Sequence, residues 1–240
     1  MRKALTYIFI ILMALASCQG EMPAPGQAAC ILELELSRVG VSKSTTRAID
    51  NDLALKILDA NGDVYIQYRA GSVPSKLTLS PGNFTVIAYT ENQETWSRQN
   101  DGRGEACYYG TCQVKMEFDN VTYANMLVPM TNYAVTLTLP EYFNDFFPSY
   151  TYSLKSGFRQ TSIKEGEKAY FDPEEGGFTY QLFVTNTDQN PHNTTPITYK
   201  KVESGKLYNM TYYYGTDDNS GGLDIEITDN MEDEDINVPL

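Results

Sequence analysis

The sequence predicts an all-β protein built from two β-sandwich lobes. Many segments of strand length alternate apolar with polar side chains, and turns that contain glycine or proline separate them. No long segment keeps the spacing of apolar residues that is typical of a helix. Because the series of strands breaks near Pro140, we expect the lobes at residues 31–139 and 140–240, the second with an acidic tail.

The first predicted strand begins at residue 31 and has the clearest alternation. Leu32, Leu34 and Leu36 are separated by glutamates, so the three leucines share one face of a strand. We expect that face to lie in a core and the glutamates to face water. Further strands of the first lobe are predicted at residues 53–58, 64–68, 76–79, 84–89, 113–118, 123–130 and 133–139.

Two of these strands carry more specific signals. The dipeptide Asn61-Gly62 lies between the second and third strands, and it predicts a hairpin with a type I′ turn because both residue types tolerate positive φ. The strand at residues 84–89 has apolar side chains on both faces. This pattern predicts a central position in its sheet.

Residues 91–106 form a long polar loop around Trp96, which is the single tryptophan of the chain. The loop is unusually long for a compact domain, and long loops often carry function. Trp96 is therefore a candidate ligand contact, and packing is the alternative. In the second lobe, strands are predicted at residues 150–154, 168–171, 178–184, 198–202, 206–214 and 223–228.

The N-terminal segment resembles a bacterial lipoprotein signal peptide. Two basic residues precede an apolar run at residues 4–16, and the box Leu-Ala-Ser-Cys ends at Cys18. The run is shorter than the roughly 20 residues of a membrane-spanning helix. The resemblance implies that residues 1–17 are removed and that Cys18 carries a stable lipid anchor. Gln19 favours the outer membrane, and both the surface-facing and the periplasmic orientation stay open.

Residues 18–30 contain prolines and small residues, which predicts a flexible tether between the lipid and the folded body. The formal net charge is -13, and it becomes more negative once Arg2 and Lys3 leave with the signal peptide. Nucleic acid is not an expected partner because phosphate binding requires clustered basic residues. We therefore expect the protein to reach the membrane only through its lipid.

Three cysteines besides the lipidated one allow at most one intramolecular bridge in an oxidising compartment. On one continuous strand, Cys107 and Cys112 would lie roughly 16 Å apart, whereas a disulfide needs Cα atoms within about 7 Å. They are a candidate disulfide only if Tyr109-Gly110 forms a turn. The alternative is that Cys30, Cys107 and Cys112 are small buried hydrophobes.

No catalytic site is predicted, so the protein is not expected to be an enzyme or to need a cofactor. His192 is the single histidine, which leaves a triad or a zinc site short of partners, and we expect a solvated loop residue. Carboxylate pairs at Glu174-Glu175 and Asp217-Asp218 lie in apparent turns without an apolar environment.

A calcium site is a weak candidate near the C-terminus. Asp217, Asp218, Asn219 and Asp224 place oxygen ligands around two glycines, and calcium favours such pliable loops. The spacing does not match an EF-hand, and a solvated turn is the alternative. We therefore expect no resident metal.

Several short motifs follow one another in a recognisable order. They are Thr46-Arg47-Ala48, the run from Leu79 to Tyr89, Tyr108-Tyr109-Gly110, Ala134-Val135-Thr136-Leu137, Ala169-Tyr170-Phe171 and Gly205-Lys206-Leu207-Tyr208. Their order resembles a family of Bacteroidetes lipoproteins known mainly as a domain of unknown function, which is similar to fimbrillin-like lipoproteins. The resemblance covers nearly the whole mature chain. It implies two transthyretin-like sandwiches and a role in surface adhesion or assembly, without catalytic residues.

The same resemblance implies a mechanism of assembly. In the fimbrial relatives, an arginine-specific protease removes a first strand, and a strand of another subunit fills the groove. Arg47 is the corresponding candidate cleavage site. Ile236, Val238 and Leu240 alternate with polar residues or proline and form a candidate donor strand, although they could equally close their own sheet. The expected partners are other surface subunits, or glycans if the Trp96 loop binds sugars.

Overall fold

The computed structural model describes residues 30–40, 52–214 and 223–230, and it confirms the all-β class. The strands of the first half are β1 (Cys30–Val39), β2 (Ala54–Leu58), β3 (Val64–Tyr68), β4 (Lys76–Leu79), β5 (Gly82–Tyr89), β6 (Tyr109–Met116), β7 (Val121–Pro129) and β8 (Tyr133–Thr138). A single helical turn, α1 (Phe143–Phe146), follows. The remaining strands are β9 (Ser149–Ser156), β10 (Arg159–Ile163), β11 (Lys168–Phe171), β12 (Phe178–Thr185), β13 (Pro191–Asn193), β14 (Ile197–Tyr199), β15 (Leu207–Tyr214) and β16 (Leu223–Asn230).

The chain divides into two compact units. Among the described residues, the first unit contains residues 30–37, 52–91 and 110–126, and the second contains residues 38–40, 92–109, 127–214 and 223–230. This division differs from the expected break near Pro140. The reason is that β8 pairs with β11 and β15, whose residues come much later in the chain, and that the long loop after β5 also belongs to the second unit.

The first unit is a β-sandwich of two sheets, with strand orders β4-β1-β7 and β3-β2-β5-β6. Leu32, Leu34 and Leu36 of β1 are buried, as the alternation predicts. Strand β5 lies between β2 and β6, which confirms its expected central position. The hairpin of β2 and β3 is also present, but its type I′ turn was a wrong prediction because Gly62 has positive φ and Asn61 does not.

The side chain of Asp59 explains the turn that forms instead. Its Oδ1 accepts hydrogen bonds from the backbone N–H groups of Asn61 and Asp63, each at 2.9 Å. These bonds hold the loop in an Asx-type turn, in which only the glycine needs the left-handed region. The turn type therefore depends on the Asp59 side chain, which lies two residues before the Asn61-Gly62 dipeptide that predicted the hairpin.

The second unit is a β-sandwich with strand orders β10-β9-β12-β13 and β11-β8-β15-β16, with β14 also paired to β12. Strands β8 and β15 run parallel, and the other pairs with a described register are antiparallel. The two sheets share one aromatic-rich core. Its largest fully buried side chains are Tyr133, Tyr152, Tyr208, Phe143, Phe171 and Phe178.

Strands β10 and β13 were not predicted, and β14 is shorter than the expected strand at residues 198–202. All three lie at the periphery of their sheet, where most side chains are exposed or half-buried. Peripheral strands lack a continuous buried face, so their sequences lack the apolar alternation that identifies a strand. Across the described residues, no helix is long and apolar enough to cross a bilayer.

Candidate functional site

The long loop after β5 is ordered by short-range backbone bonds. The carbonyl of Asn92 accepts from the N–H groups of Thr95 and Trp96 at 2.8 and 2.7 Å, which starts a turn of 3₁₀ helix at Trp96–Arg98. A second such turn follows at Asn100–Gly102. The loop is therefore a folded element of the second unit, and its length reflects these two turns.

Arg159 at the start of β10 fixes this loop. Its guanidinium lies 4.7 Å from the centre of the Trp96 ring and 5.1 Å from the centre of the Phe171 ring. The same guanidinium donates to the backbone carbonyls of Ser97, Gly102 and Tyr170. Burial lowers the pKa of Arg159 from its usual value. One charged side chain thus joins the loop to β11 through two ring contacts and three hydrogen bonds.

Close packing also restricts Gly104. Its φ is +81°, and a Cβ at this position would lie 3.0 Å from the Trp96 ring. Beside it, the carbonyl of Arg103 accepts from the N–H of Tyr170 at 2.7 Å. The Arg103 side chain pairs with Glu167 at 2.6 Å. The indole is consequently half-buried and held in one place. Trp96 stays a predicted ligand contact, and any ligand would meet a ring of fixed orientation.

A buried asparagine organises the other side of the site. The side chain of Asn132 accepts from the N–H of Cys107 at 3.0 Å and donates to the carbonyl of Glu105 at 2.8 Å. Its own carbonyl accepts from the N–H of Gly205 at 2.9 Å. Asn132 is only 3% exposed, so these bonds compensate its burial.

These elements enclose a surface cleft of about 380 Å³ in the second unit. The residues that line it are Gln93, Trp96, Cys107, Tyr109, Thr131, Asn132, Asp172, Pro173, Glu174 and Ser204. They supply two exposed carboxylates, amide and hydroxyl groups and two aromatic rings, and they supply no lysine or arginine. This lining suits a neutral or positively charged ligand that donates hydrogen bonds.

The thiol of Cys107 does not make this cleft a nucleophilic site. Burial, with the nearby charges of Glu105 and Asp172, raises the pKa of Cys107 to about 12. A thiol in this environment stays protonated near neutral pH, and the thiol form is a poor nucleophile.

The two residues of the candidate disulfide are not bonded to each other in the structure. Cys107 and Cys112 are free, as is Cys30, because Tyr109 and Gly110 belong to the continuous strand β6 and make no turn. Cys30 and Cys107 are buried, in agreement with the alternative that they pack as small hydrophobes.

His192 is exposed, as expected, but the loop assignment was wrong because the residue lies in β13 opposite Val184. Glu174 and Glu175 lie in the short turn Pro173–Glu175, and Glu174 lines the cleft. Among the residues that the structure describes, no group of three or more His, Cys, Asp or Glu side chains is arranged to hold a metal ion.

Several predicted residues lie outside the described parts of the chain. They are the lipidation site Cys18, the cleavage site Arg47, the calcium candidates Asp217, Asp218 and Asn219, and the donor residues Ile236, Val238 and Leu240. The fourth calcium candidate, Asp224, lies in β16 opposite Tyr213.

Sequence reasoning missed Arg159 and Asn132, which hold the site together. Each is a single polar residue in a segment of mixed polarity, so no periodic pattern marked either one. It also missed an exposed aromatic group beside α1, although the run Tyr-Phe-Asn-Asp-Phe-Phe at residues 142–147 was visible as a signal.

The fold and the cleft define a protein of two β-sandwiches with a polar cleft on the second. Residues 29–240 match the family described as a domain of unknown function, DUF4493. The chain belongs to this family. No curated protein matches the sequence.

The comparison with solved structures found chains from Bacteroides and Porphyromonas species that are similar to this one. A candidate cell adhesion protein of Bacteroides eggerthii has 11% identity and a TM-score of 0.49, over 87% of this chain and 97% of that one. One from Bacteroides uniformis has 12% identity and a TM-score of 0.49, over 87% and 99%. The fimbrial anchor protein Mfa2 of Porphyromonas gingivalis has 10% identity and a TM-score of 0.37, over 84% and 97%.

Proposed function

We propose that this chain is a non-catalytic envelope lipoprotein, anchored in the outer membrane through Cys18, that acts in surface adhesion or fimbria-like assembly. The signal-peptide resemblance at residues 1–18 supports the anchor, and the resemblance to fimbrillin-like lipoproteins supports the role. The position of β1 is the single observation that carries the assembly mechanism.

Strand β1 lies in the middle of its sheet, between β4 and β7. It runs antiparallel to β4, with Leu32 opposite Leu77. Backbone bonds at its two ends, from Ile31 N to Asn120 O and from Met130 N to Val39 O, are those of a strand parallel to β7. Both edges of β1 are therefore hydrogen-bonded.

Loss of β1 would open a groove with two consequences. The facing backbone groups of β4 and β7 would lose their partners, and unpaired strand edges readily take up another strand. The sites of Leu32, Leu34 and Leu36, which are buried at present, would also be left as three apolar pockets. An incoming strand with alternating apolar residues satisfies both needs, and this is the recognition mode of strand addition.

Cleavage after Arg47 would separate β1 and the lipid from the rest of the chain. The segment with Ile236, Val238 and Leu240 then has the alternation that a donor needs. Pro239 has no N–H to donate, so this donor would have to end at an edge position. The expected partner is another subunit with the same groove.

The test uses the full lipidated chain in detergent, treated with an arginine-specific protease. We expect a new N-terminus at Ala48 by mass spectrometry, followed by ladders of polymer on gels of unheated samples. Arg47→Ala should block both changes. Arg69→Ala removes an exposed arginine elsewhere and is the matched control, so it should be cut and should assemble normally.

Removal of residues 235–240 tests the donor independently. The shortened chain should still be cut after Arg47 but should stay monomeric. Polymer formed by the shortened chain would reject the C-terminal donor, and a cut protein that stays monomeric with its tail intact would reject assembly by strand exchange.

The cleft favours glycan binding as a second candidate function. Asp172 and Glu174 can accept hydrogen bonds from sugar hydroxyls, while Trp96 and Tyr109 provide ring surfaces. A glycan array probed with the full chain tests it. Binding that is lost in Glu174→Gln and kept in Glu175→Gln would support this site, and binding that is unchanged in Glu174→Gln would reject it.

A further inference from the structure

A cluster of exposed aromatic side chains lies on the second unit, beside α1. Tyr142 is 64% exposed, Phe146 56% and Tyr214 42%. The rings of Phe146 and Tyr214 pack edge to face, with centroids 6.0 Å apart. We call this pair, together with Tyr142, which directly precedes α1, the aromatic platform. Large apolar groups collected in one exposed place commonly mark a binding surface.

Packing of α1 against the aromatic core of the second unit supports the platform. Phe143, which is buried, contacts Phe147 at 5.0 Å and Tyr150 at 5.7 Å between ring centroids. This contact seats α1 on the sandwich while Phe146, on the outer side of the same turn, meets solvent. Tyr212, two residues before Tyr214 on β15, is likewise buried in the core.

The backbone conformation of Tyr142, just before α1, is one that its surroundings must enforce. Tyr142 has φ +64° and ψ +10°, the left-handed region that bulky residues rarely adopt. Its carbonyl accepts from the N–H of Asp145 at 3.0 Å, and the N–H of Phe143 donates to Pro140 at 3.1 Å. Strained backbone of this kind persists only where the surroundings enforce it, and it concentrates at binding sites.

A carboxylate accompanies the rings. Burial and the negative charge of Asp145 raise the pKa of Tyr214, so the phenol and the carboxylate are close enough to interact. Asp145 is exposed and can accept hydrogen bonds only, whereas the phenol can both donate and accept.

We propose that the aromatic platform binds a sugar ring of a neutral glycan, with the ring of Phe146 against its C–H face, the Tyr214 phenol at its edge and Asp145 accepting from its hydroxyl groups. Charge excludes the anionic occupants. The chain carries a formal charge of -13, so an anionic bilayer and an anionic polysaccharide are each repelled. An uncharged sugar offers C–H groups that can pack on the aromatic rings and hydroxyl groups that can donate hydrogen bonds to the Asp145 carboxylate.

This site is separate from the cleft and does not depend on strand exchange at β1. It also gives a role to Tyr214, whose neighbour Tyr212 is explained by packing alone. The test is affinity electrophoresis of the full mature chain in gels that contain one soluble polysaccharide each: starch, xylan, mixed-linkage β-glucan, mannan or, as the anionic probe, heparin.

We expect retardation by at least one of the neutral polysaccharides and none by heparin. Phe146→Ala and Tyr214→Ala should each weaken binding roughly tenfold or more. Phe146→Tyr keeps the ring and should restore it. Phe158→Ala is the matched control, because Phe158 is fully exposed on the same unit but does not belong to the platform. Glu174→Gln, in the cleft, should bind normally.

Absence of retardation by every neutral polysaccharide would overturn the proposal, and so would retardation that survives both alanine variants. Two further measurements test the other occupants. The first is flotation with phosphatidylethanolamine–phosphatidylglycerol vesicles, and the second is gel filtration. Vesicle binding or a dimer that Phe146→Ala abolishes would also overturn the glycan proposal. Far-UV circular dichroism of each variant confirms folding. The strand-exchange proposal is unaffected by any of these outcomes.

Discussion

The guanidinium of Arg159 stacks on the ring of Trp96 at 4.7 Å and, through its Nη2, donates to both Ser97 and Gly102 in the same loop. A polar loop usually has no apolar core to hold its shape. Here the contacts of the Arg159 side chain hold the loop instead. They explain how a long polar segment keeps a defined shape at the edge of the cleft.

Arg159→Ala should destabilise the second unit and loosen its loop. The carbonyls of Ser97, Gly102 and Tyr170 lose their donor, and Trp96 loses its cation, which we expect to cost about 2–3 kcal/mol. Because Trp96 is the single tryptophan, its fluorescence should shift to longer wavelength. Urea unfolding and emission spectra measure the two effects.

Arg98→Ala is the control for this loop, because Arg98 is exposed. It should change stability by no more than about 0.5 kcal/mol. Arg159→Lys keeps the charge without the planar fork and should give an intermediate loss. An unchanged emission maximum and urea midpoint in Arg159→Ala would show that the loop is held by other contacts.

The leucines of β1 should contribute strongly to the first unit. Leu32 is fully buried, so Leu32→Ala should cost about 2–5 kcal/mol through lost apolar contact and a residual cavity. Ile31→Ala changes the adjacent residue on the opposite, exposed face and should cost much less. Urea titration followed by circular dichroism compares them. Equal losses would contradict the burial of one face of β1.

The cysteine thiols should be unreactive in the native protein. Burial raises the pKa of Cys30 and of Cys112, and burial with nearby acids raises that of Cys107 to about 12. At pH 8 each thiolate population is therefore smaller than that of an ordinary cysteine. Iodoacetamide followed by mass spectrometry should label these thiols slowly, and fully only in denaturant.

Within this set, the half-buried Cys112 should be labelled before Cys107. A peptide pair joined through Cys107 and Cys112, with two hydrogens fewer than the free thiols, would contradict the continuous strand at the start of β6.

The ion pair of Arg103 and Glu167 should make stability depend on acid pH. The backbone N–H of Lys164 and the Arg103 guanidinium lower the pKa of Glu167 below its usual value of 4.5. A carboxyl with a lowered native pKa stabilises the fold above the unfolded value, and that contribution is lost as pH falls through the native value.

Glu167→Gln should therefore be less stable than the wild type at pH 7, by at most about 1 kcal/mol because the pair is partly exposed. The difference should be smaller at pH 3 than at pH 7, because the contribution is lost as the pH falls through the lowered native pKa of Glu167. Glu94→Gln removes the charge of an exposed acid in the loop that carries Arg103, and it is the matched control for the loss of one carboxylate. A difference that is equal at both pH values would assign the effect of Glu167→Gln to packing.

The sequence by itself determined the all-β class and the orientation of β1, because alternation with a period of two residues is a local property. It also located the β2–β3 hairpin, since the Asn61-Gly62 dipeptide and its flanking strands are contiguous. It could not give the turn type, which depends on the Asp59 side chain. Nor could it identify β10 and β13, whose peripheral positions remove the apolar signal.

Only the tertiary structure decided which distant segments share a site. The parallel pairing of β8 with β15 assigns β8 to the second unit, and no local pattern encodes a pairing across such a separation. The same holds for Arg159 on Trp96 and for Phe146 on Tyr214. Each pair joins residues more than 60 positions apart, so their contact energy exists only once the sheets have brought them together.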